Sequence, residues 1–307
     1  MTKGEKMKLR EKSRLNNKSA GLLTVLEFKS FRYRFLYWVC FAIVALVSIF
    51  VVAPVIWVVV SAFKTPQEMY SIPPTLLPES FDFSIIPQVW SKVKFGNAFK
   101  NSLILIVGCL IFDIGLNGML GYVISRLKPT GSKLIDKLVF WSMLLPGISM
   151  VPLYITFVDV PLLHINLTGS YLPMWLMAGC NAFNVLLFKN FFDGIPMSYL
   201  EAARIDGGGE IYIFLKIILP LAKPILAVVT IFSITGTWAN FMWPYLILGS
   251  TDLEPVAVKL YQLSMEGNLL DNEFLMVTLL TILPPLVIYC FLSKHIQGGV
   301  SMEGIKG

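Results

Sequence analysis

Glu201–Pro224 reads EAARIDGGGEIYIFLKIILPLAKP, a polar, glycine-bearing segment set between two long apolar runs. Just upstream, Ser198 and Glu201 stand in the S-x-x-E spacing of a capping box, and Pro196 ends whatever precedes them, so the spacing predicts a helix from Ser198. Leu200, Ala202 and Ala203 supply a small, partly apolar face. Gly207 then falls at a helix C-cap position, where a residue without Cβ adopts a left-handed backbone at no steric cost, and Gly208 and Gly209 extend the break. From Glu210 to Leu219 the pattern is helical and amphipathic again, and Pro220 and Pro224 sit at the mouth of the next apolar run. The expected shape is a short surface helix, a sharp turn and a second helix.

The surroundings of that segment are membrane-like. Of 307 residues, 56% are hydrophobic and 14% charged, with a mean hydropathy of +0.71, far too apolar for a soluble domain. Cys40, Cys109, Cys180 and Cys290 all lie in apolar runs without paired spacing, which suggests neither a disulfide frame nor a zinc site. The net charge of +6 is a matter of topology rather than of nucleic acid, because the positive residues segregate by loop.

Taken in order, residues 1–34 form a basic tail, expected to be cytoplasmic. Residues 35–63 run unbroken at spanning length, about 20 residues or more, and so read as a first transmembrane helix rather than a signal peptide. Residues 64–97 are a proline-rich outer loop. A core of residues 98–293 follows, with further spans expected at about 98–125, 138–158, 168–188, 221–248 and 274–293. Pro146, Gly147 and Pro152 make the third irregular. The polar segment of residues 190–220 lies between the fourth and fifth, the loop of residues 249–273 reads as acidic and outer, and residues 294–307 as a cytoplasmic tail. Twenty of the 25 Lys and Arg residues then lie on one side. The expected fold is an all-α membrane protein of six helices with both termini inside.

Polar residues within spans are costly and ask for a partner or a wet cavity. Asp113 and Asn117, four apart, share a helical face in the second span, and read as a buried polar contact rather than as a pathway or coupling feature. Asn181 and Asn184 in the fourth span, and Trp238 and Asn240 in the fifth, are candidates for a solute path: amides bind hydroxyls and aromatic faces stack on sugar rings. Trp243 and Tyr245 fit an interfacial belt better. Gly108, Gly115, Gly118 and Gly121 suit close helix packing. His295 stands alone at a span boundary. No G-x-x-x-x-G-K-[ST] phosphate loop, triad or metal cluster is evident, so neither catalytic nor metal residues are assigned.

The spacing of Glu201, Ala202, Ala203, Gly207, Ile217, Leu219 and Pro220 resembles the EAA signature of membrane permease subunits in ABC importers. Gly208 and Gly209 depart from it, standing where the family commonly has Ala and a small polar residue. Further stretches resemble the maltose and glycerol-phosphate (carbohydrate) class: NSL at Asn101–Leu103, GYVISRLKPTG at Gly121–Gly131, NAFNVLLFKNFF at Asn181–Phe192, and the closing GIKG at Gly304–Gly307. The resemblance implies a type I importer permease fold in a bacterial plasma membrane, whose loop helix is a coupling helix. It assigns Glu201, Ala202, Ala203, Asp206, Gly207, Ile217, Leu219 and Pro220 to contact with an ATPase. It implies as partners a second homologous permease, two cytosolic ABC ATPase subunits and an extracellular solute-binding protein. ATP and Mg would belong to the ATPases, with no cofactor in this chain. The alternative is an ion-coupled secondary transporter or channel subunit using Asp113.

Overall fold

The computed structural model describes residues 31–73, 75–144, 150–249 and 251–300, the first three and last nine of these by backbone alone. The basic tail, Pro146 and Gly147, the side chain of His295 and the closing GIKG lie outside what is described. The chain divides into two units, Met1–Val60 and Ser61–Gly307. Helix α1, Phe31–Ser61, is apolar around its whole circumference and keeps Pro54 within it, as a lipid-facing helix can.

In the second unit, all regular structure among the described residues is helical: α2 Pro66–Met69, α3 Ile85–Lys92, α4 Phe95–Leu127, α5 Ser132–Met143, α6 Met150–Val158, α7 Leu172–Ala178, α8 Ala182–Asp193, α9 Met197–Ile205, α10 Glu210–Leu221, α11 Lys223–Ala239, α12 Met242–Leu248, α13 Val256–Glu266 and α14 Asp271–Val300. Arg34–Ser61, α4 and Asp271–Phe291 are long and apolar enough to cross a bilayer; α10 and α11 meet the same criterion only as a pair, bent by 85°. The bend falls at Ala222, between Pro220 and Pro224, each of which lacks the N–H that would continue the helix.

The stretches read as continuous fourth and fifth spans are each divided. Between α7 and α8 the chain opens at Gly179–Asn181, and between α11 and α12 at Asn240, whose backbone is extended. Hydropathy runs unbroken across both sites, but the first opening is held by a capping and a packing contact. Asn181 caps α8 by accepting from the Asn184 N–H at 3.2 Å, and Gly179 lies where a Cβ would stand 3.2 Å from the Phe112 carbonyl of α4. Asp113–Asn117 and Val123–Leu127 in α4 are π-helical turns, a departure that widens the helix locally and recurs at functional sites.

The loop of residues 249–273 is more ordered than its acidic sequence suggests, since it contains α13, which buries Val256, Val258 and Leu263. The NSL motif anchors it. Asn101 Nδ2 donates to the carbonyls of Asp252 and Glu254 at 2.8 and 3.1 Å, and Ser102 Oγ accepts from the Val256 N–H at 2.9 Å. Where α4 meets α8, Gly121 permits a backbone-to-backbone approach: a Cβ there would lie 2.8 Å from Phe188 Cβ and 3.1 Å from the Lys189 nitrogen and the Val185 carbonyl oxygen. Lipid provides no hydrophobic drive to bring helices together, so this close packing carries the association. One core joins α4, α8, α9, α10 and α11 through Tyr122, Phe188, Phe192, Leu200, Ile213, Phe214, Ile218 and Val229.

Candidate functional site: a loop helix and a polar cavity

Helix α9 begins at Met197, with Pro196 as its N-cap and no side-chain cap. The capping box expected of Ser198 and Glu201 therefore does not form. Starting one residue earlier places Ser198 inside the first turn, where its helical backbone cannot present the hydroxyl to the residue three ahead. The other end is as the glycines demand. Gly207 takes φ +83°, its N–H donates to the Arg204 carbonyl at 3.0 Å, and the Gly208 N–H reaches back to the Ala203 carbonyl at 2.9 Å. These two bonds make a Schellman motif, which closes the helix at Ile205 and redirects the chain into α10 within four residues.

The loop has an inner and an outer face. Leu200 and Ala203, three apart, turn inward with Ile213, Phe214 and Ile218 into the common core. Glu201, Ala202, Asp206, Gly207 and Pro220 are exposed, while Ile217 and Leu219 are half-buried. Outward with the exposed set go Tyr199, Ile205, Ile211 and Tyr212; Ile205 is 86% exposed. Large apolar residues concentrated on one polar loop mark a contact surface.

Five hydrogen bonds made by residues outside the motif fix this loop to the helices. Glu210 accepts from Tyr122 Oη at 2.7 Å and from Arg204 Nε at 2.9 Å, joining α10, α4 and α9 at one carboxylate. The Glu210 hydrogen bond raises the Arg204 pKa still further, so the guanidinium stays charged. Arg126 donates to the carbonyls of Phe192, in the last turn of α8, and of Ile195, just beyond it, and Ser125 Oγ donates to Asp193 at 2.7 Å. Half-exposed ion pairs contribute little, about 0–1 kcal/mol, so Tyr122 carries the larger part of the anchoring. Glu210→Ala is expected to speed tryptic cleavage after Arg204 several-fold, and Glu210→Gln, which keeps an acceptor for Tyr122, to do so less. Equal cleavage rates in all three proteins would count against the anchor.

Away from the loop, α4, α7, α8, α11 and α12 line a partly open cavity of about 400 Å³. Asp113 is 2% exposed, and three amide contacts converge on it: Asn117 Nδ2 donates to Oδ1 at 2.7 Å, and Asn184 Nδ2 to both oxygens at 2.9 Å. Asn117 also donates to the Ala178 carbonyl at 2.8 Å and accepts from the Asn181 N–H at 3.1 Å, so the π-turn of α4 is stitched to the break between α7 and α8. Asp113, Asn181, Asn184 and Asn240 all line the cavity, together with Ser233, Thr237, Phe183 and Trp243. The structure thus brings both candidate polar pairs and one member of the third together. Trp238 goes elsewhere: its Nε1–H donates to the Thr281 carbonyl at 3.1 Å, its ring meets Phe99 edge-on, and it packs between α11 and α14 rather than lining the cavity. Trp243, read as a belt residue, lines the cavity instead. Among the described residues no group of three or more His, Cys, Asp and Glu could hold a metal ion.

Known proteins resemble this chain over most of its length. The family model described as "binding-protein-dependent transport system inner membrane component" matches residues 117–300. The diacetylchitobiose uptake system permease protein of Streptomyces coelicolor is 30% identical over 263 residues, covering 85% of this chain and 86% of that protein. The polygalacturonan/rhamnogalacturonan transport system permease protein of Bacillus subtilis is 29% identical over 272 residues, covering 83% and 93%. Among solved structures, a chain of a bacterial ABC transporter involved in the import of the acidic polysaccharide alginate superimposes with a TM-score of 0.76 at 22% identity, over 86% of this chain and 98% of that one.

Proposed function

Because the chain belongs to the family of binding-protein-dependent transport system inner membrane components, we propose that it forms half of the solute pathway of an ATP-driven importer for a carbohydrate or related solute. The observation that carries this reading is the two-faced loop: its inner face, Leu200 and Ala203 of α9 with Ile213 of α10, is locked into the helix core, while its outer face exposes Tyr199 and Ile205 of α9 and Ile211 and Tyr212 of α10. Such a loop transmits force. A cytosolic ATPase closing on ATP would carry α9, and through Glu210–Tyr122 and the Arg126 carbonyl contacts the motion would pass to α4 and α8.

In this reading the chain hydrolyses nothing; ATP and Mg act in two partner ATPases, a second related permease completes the pathway, and a binding protein delivers solute from outside. Both termini and α9 face the cytoplasm, as the distribution of Lys and Arg argues. ATP drives the cycle only by binding the two conformations with different affinity. Relatives named for a chitobiose derivative, for polygalacturonan and for sn-glycerol-3-phosphate support a polyhydroxylated solute without choosing among neutral and anionic ones.

The decisive experiment is mild extraction from the native membrane followed by mass spectrometry of what copurifies. An ABC ATPase and a second permease are expected. Recovery as a homo-oligomer without ATPase, with uptake that follows an ion gradient, would favour an ion-coupled secondary carrier or channel subunit. That rival needs Asp113 to exchange an ion with the cavity, whereas its oxygens are occupied by Asn117 and Asn184.

A further inference from the structure

We infer that the cavity between α4, α8 and α11 is a solute subsite contributed by this chain, and that it takes an uncharged polyhydroxylated solute and rejects uronic or phosphorylated ones. The inference rests on the importer reading and narrows its substrate class. Its volume, about 400 Å³, lies within the range of small-molecule pockets, roughly 300–1,000 Å³.

The lining decides the class. Ser233 and Thr237 offer hydroxyls, Asn240 an amide, and the floor carries Asp113, while Phe183 and Trp243 supply flat apolar faces. Sugar hydroxyls both donate and accept, so the hydroxyl and amide groups can satisfy them, and the C–H faces of a sugar ring suit aromatic walls; the Asp113 oxygens are already taken by Asn117 and Asn184. Among the described residues that line it there is no Lys, Arg or His. A carboxylate or phosphate entering there would shed part of its hydration without a countercharge from this chain, at a larger cost in free energy than an uncharged hydroxyl meets. Recognition of such anions characteristically enlists Arg or Lys. Asp113 gives no relief, since a carboxyl group cannot supply positive charge in either protonation state.

Position 236 makes the cavity readable. Gly236 lines it, and a Cβ added there meets nothing within 4 Å, so a reporter thiol fits without displacing a neighbour. Gly236→Cys would be made with Cys40, Cys109, Cys180 and Cys290 replaced by serine, and the chain purified with the partners that copurify with it. Alkylation by N-ethylmaleimide would then be timed in the presence of neutral oligosaccharides and of uronic oligosaccharides of the same lengths.

The expected result is alkylation slowed several-fold by at least one neutral sugar and by none of the uronic ones. Protection by uronic sugars equal to or greater than that by neutral ones would overturn the charge selectivity. Protection by neither, or a thiol that is never alkylated, would overturn the subsite. Both of these leave the importer reading intact as long as an ATPase copurifies, whereas loss of the ATPase in the wild-type preparation would sink that reading itself.

Discussion

Gly208→Val is expected to give a protein that inserts and accumulates in the membrane yet loses at least tenfold in ATP-driven uptake. The Gly208 N–H closes the Schellman motif on the Ala203 carbonyl, and a Cβ at this position would lie 2.9 Å from that same oxygen and 3.3 Å from the Tyr212 ring. The oxygen belongs to backbone and cannot swing aside, so the turn must open. Losing the bond costs about 1 kcal/mol, and relieving the clash a further 1–3 kcal/mol by analogy with overpacked cores. At about 1.4 kcal/mol per tenfold, that is enough to leave α9 docked in a minority of molecules.

Gly207→Val should act similarly for a different reason. Its Cβ would meet nothing within 4 Å, but φ +83° is strained for a branched side chain, at about 1–3 kcal/mol. Because both changes break one turn, their effects will not add. Gly209→Ser is the internal control. Gly209 has φ −72°, no neighbour within reach of a Cβ, and the N-cap position of α10, where serine is favoured. Uptake and ATPase copurification unchanged in Gly208→Val, at normal membrane levels, would show that the turn does not position the coupling surface.

Much of this loop was legible because its glycines are local chemistry: a left-handed turn needs Gly whatever surrounds it, and Gly207 adopts it. The helix start was not legible, since Pro196 and Ser198 both signal an N-terminus and only the packing of Leu200 settles which serves. Ile217 and Leu219 stand out in the motif, yet the buried stripe runs through Ile213, Phe214 and Ile218, because the π-turn at Phe214–Ile218 shifts the helical register. Tyr122, Arg126 and Glu210 were missed as a group; no sequence spacing relates positions 88 apart, and only the fold brings Tyr122 to Glu210.

The same distinction holds for the cavity. Asp113 and Asn117, four residues apart, meet on one face of α4 as their spacing implies, whereas Asn181 and Asn184, three apart, meet as a helix cap, the Asn184 N–H donating to Asn181 Oδ1. Trp238 and Asn240 are two apart, a spacing that points to opposite sides of a helix, and the structure sends one to α14 and the other to the cavity. That separation could have been read beforehand. The opening at Gly179–Asn181 could not, because a hydropathy profile is blind to hydrogen bonds made across the bundle, here between Asn117 and both the Ala178 carbonyl and the Asn181 N–H.

Asp113→Ala is expected to be the most destabilising single change in the membrane core, by about 2–4 kcal/mol, read as a fall of several degrees in the thermal transition of the solubilised complex. Removing the carboxylate leaves Asn184 Nδ2 with neither of its acceptors and Asn117 Nδ2 with only the Ala178 carbonyl, in a region where both residues are almost fully buried. Orphaned buried donors cost about 1–3 kcal/mol each, more than the bonds contributed. The order within a variant set tests this account. Asp113→Asn keeps one acceptor oxygen and should lose less than Asp113→Ala. Asn184→Leu added to Asp113→Ala should recover part of the loss, because it removes the orphaned donor along with its partner. If Asp113 instead served an ion-coupled step, Asp113→Asn would abolish uptake while leaving the thermal transition in place, and the double variant would recover nothing. The carboxylate would then be a functional ligand in the cavity, and not the buried knot that ties the π-turn of α4 to the opening between α7 and α8.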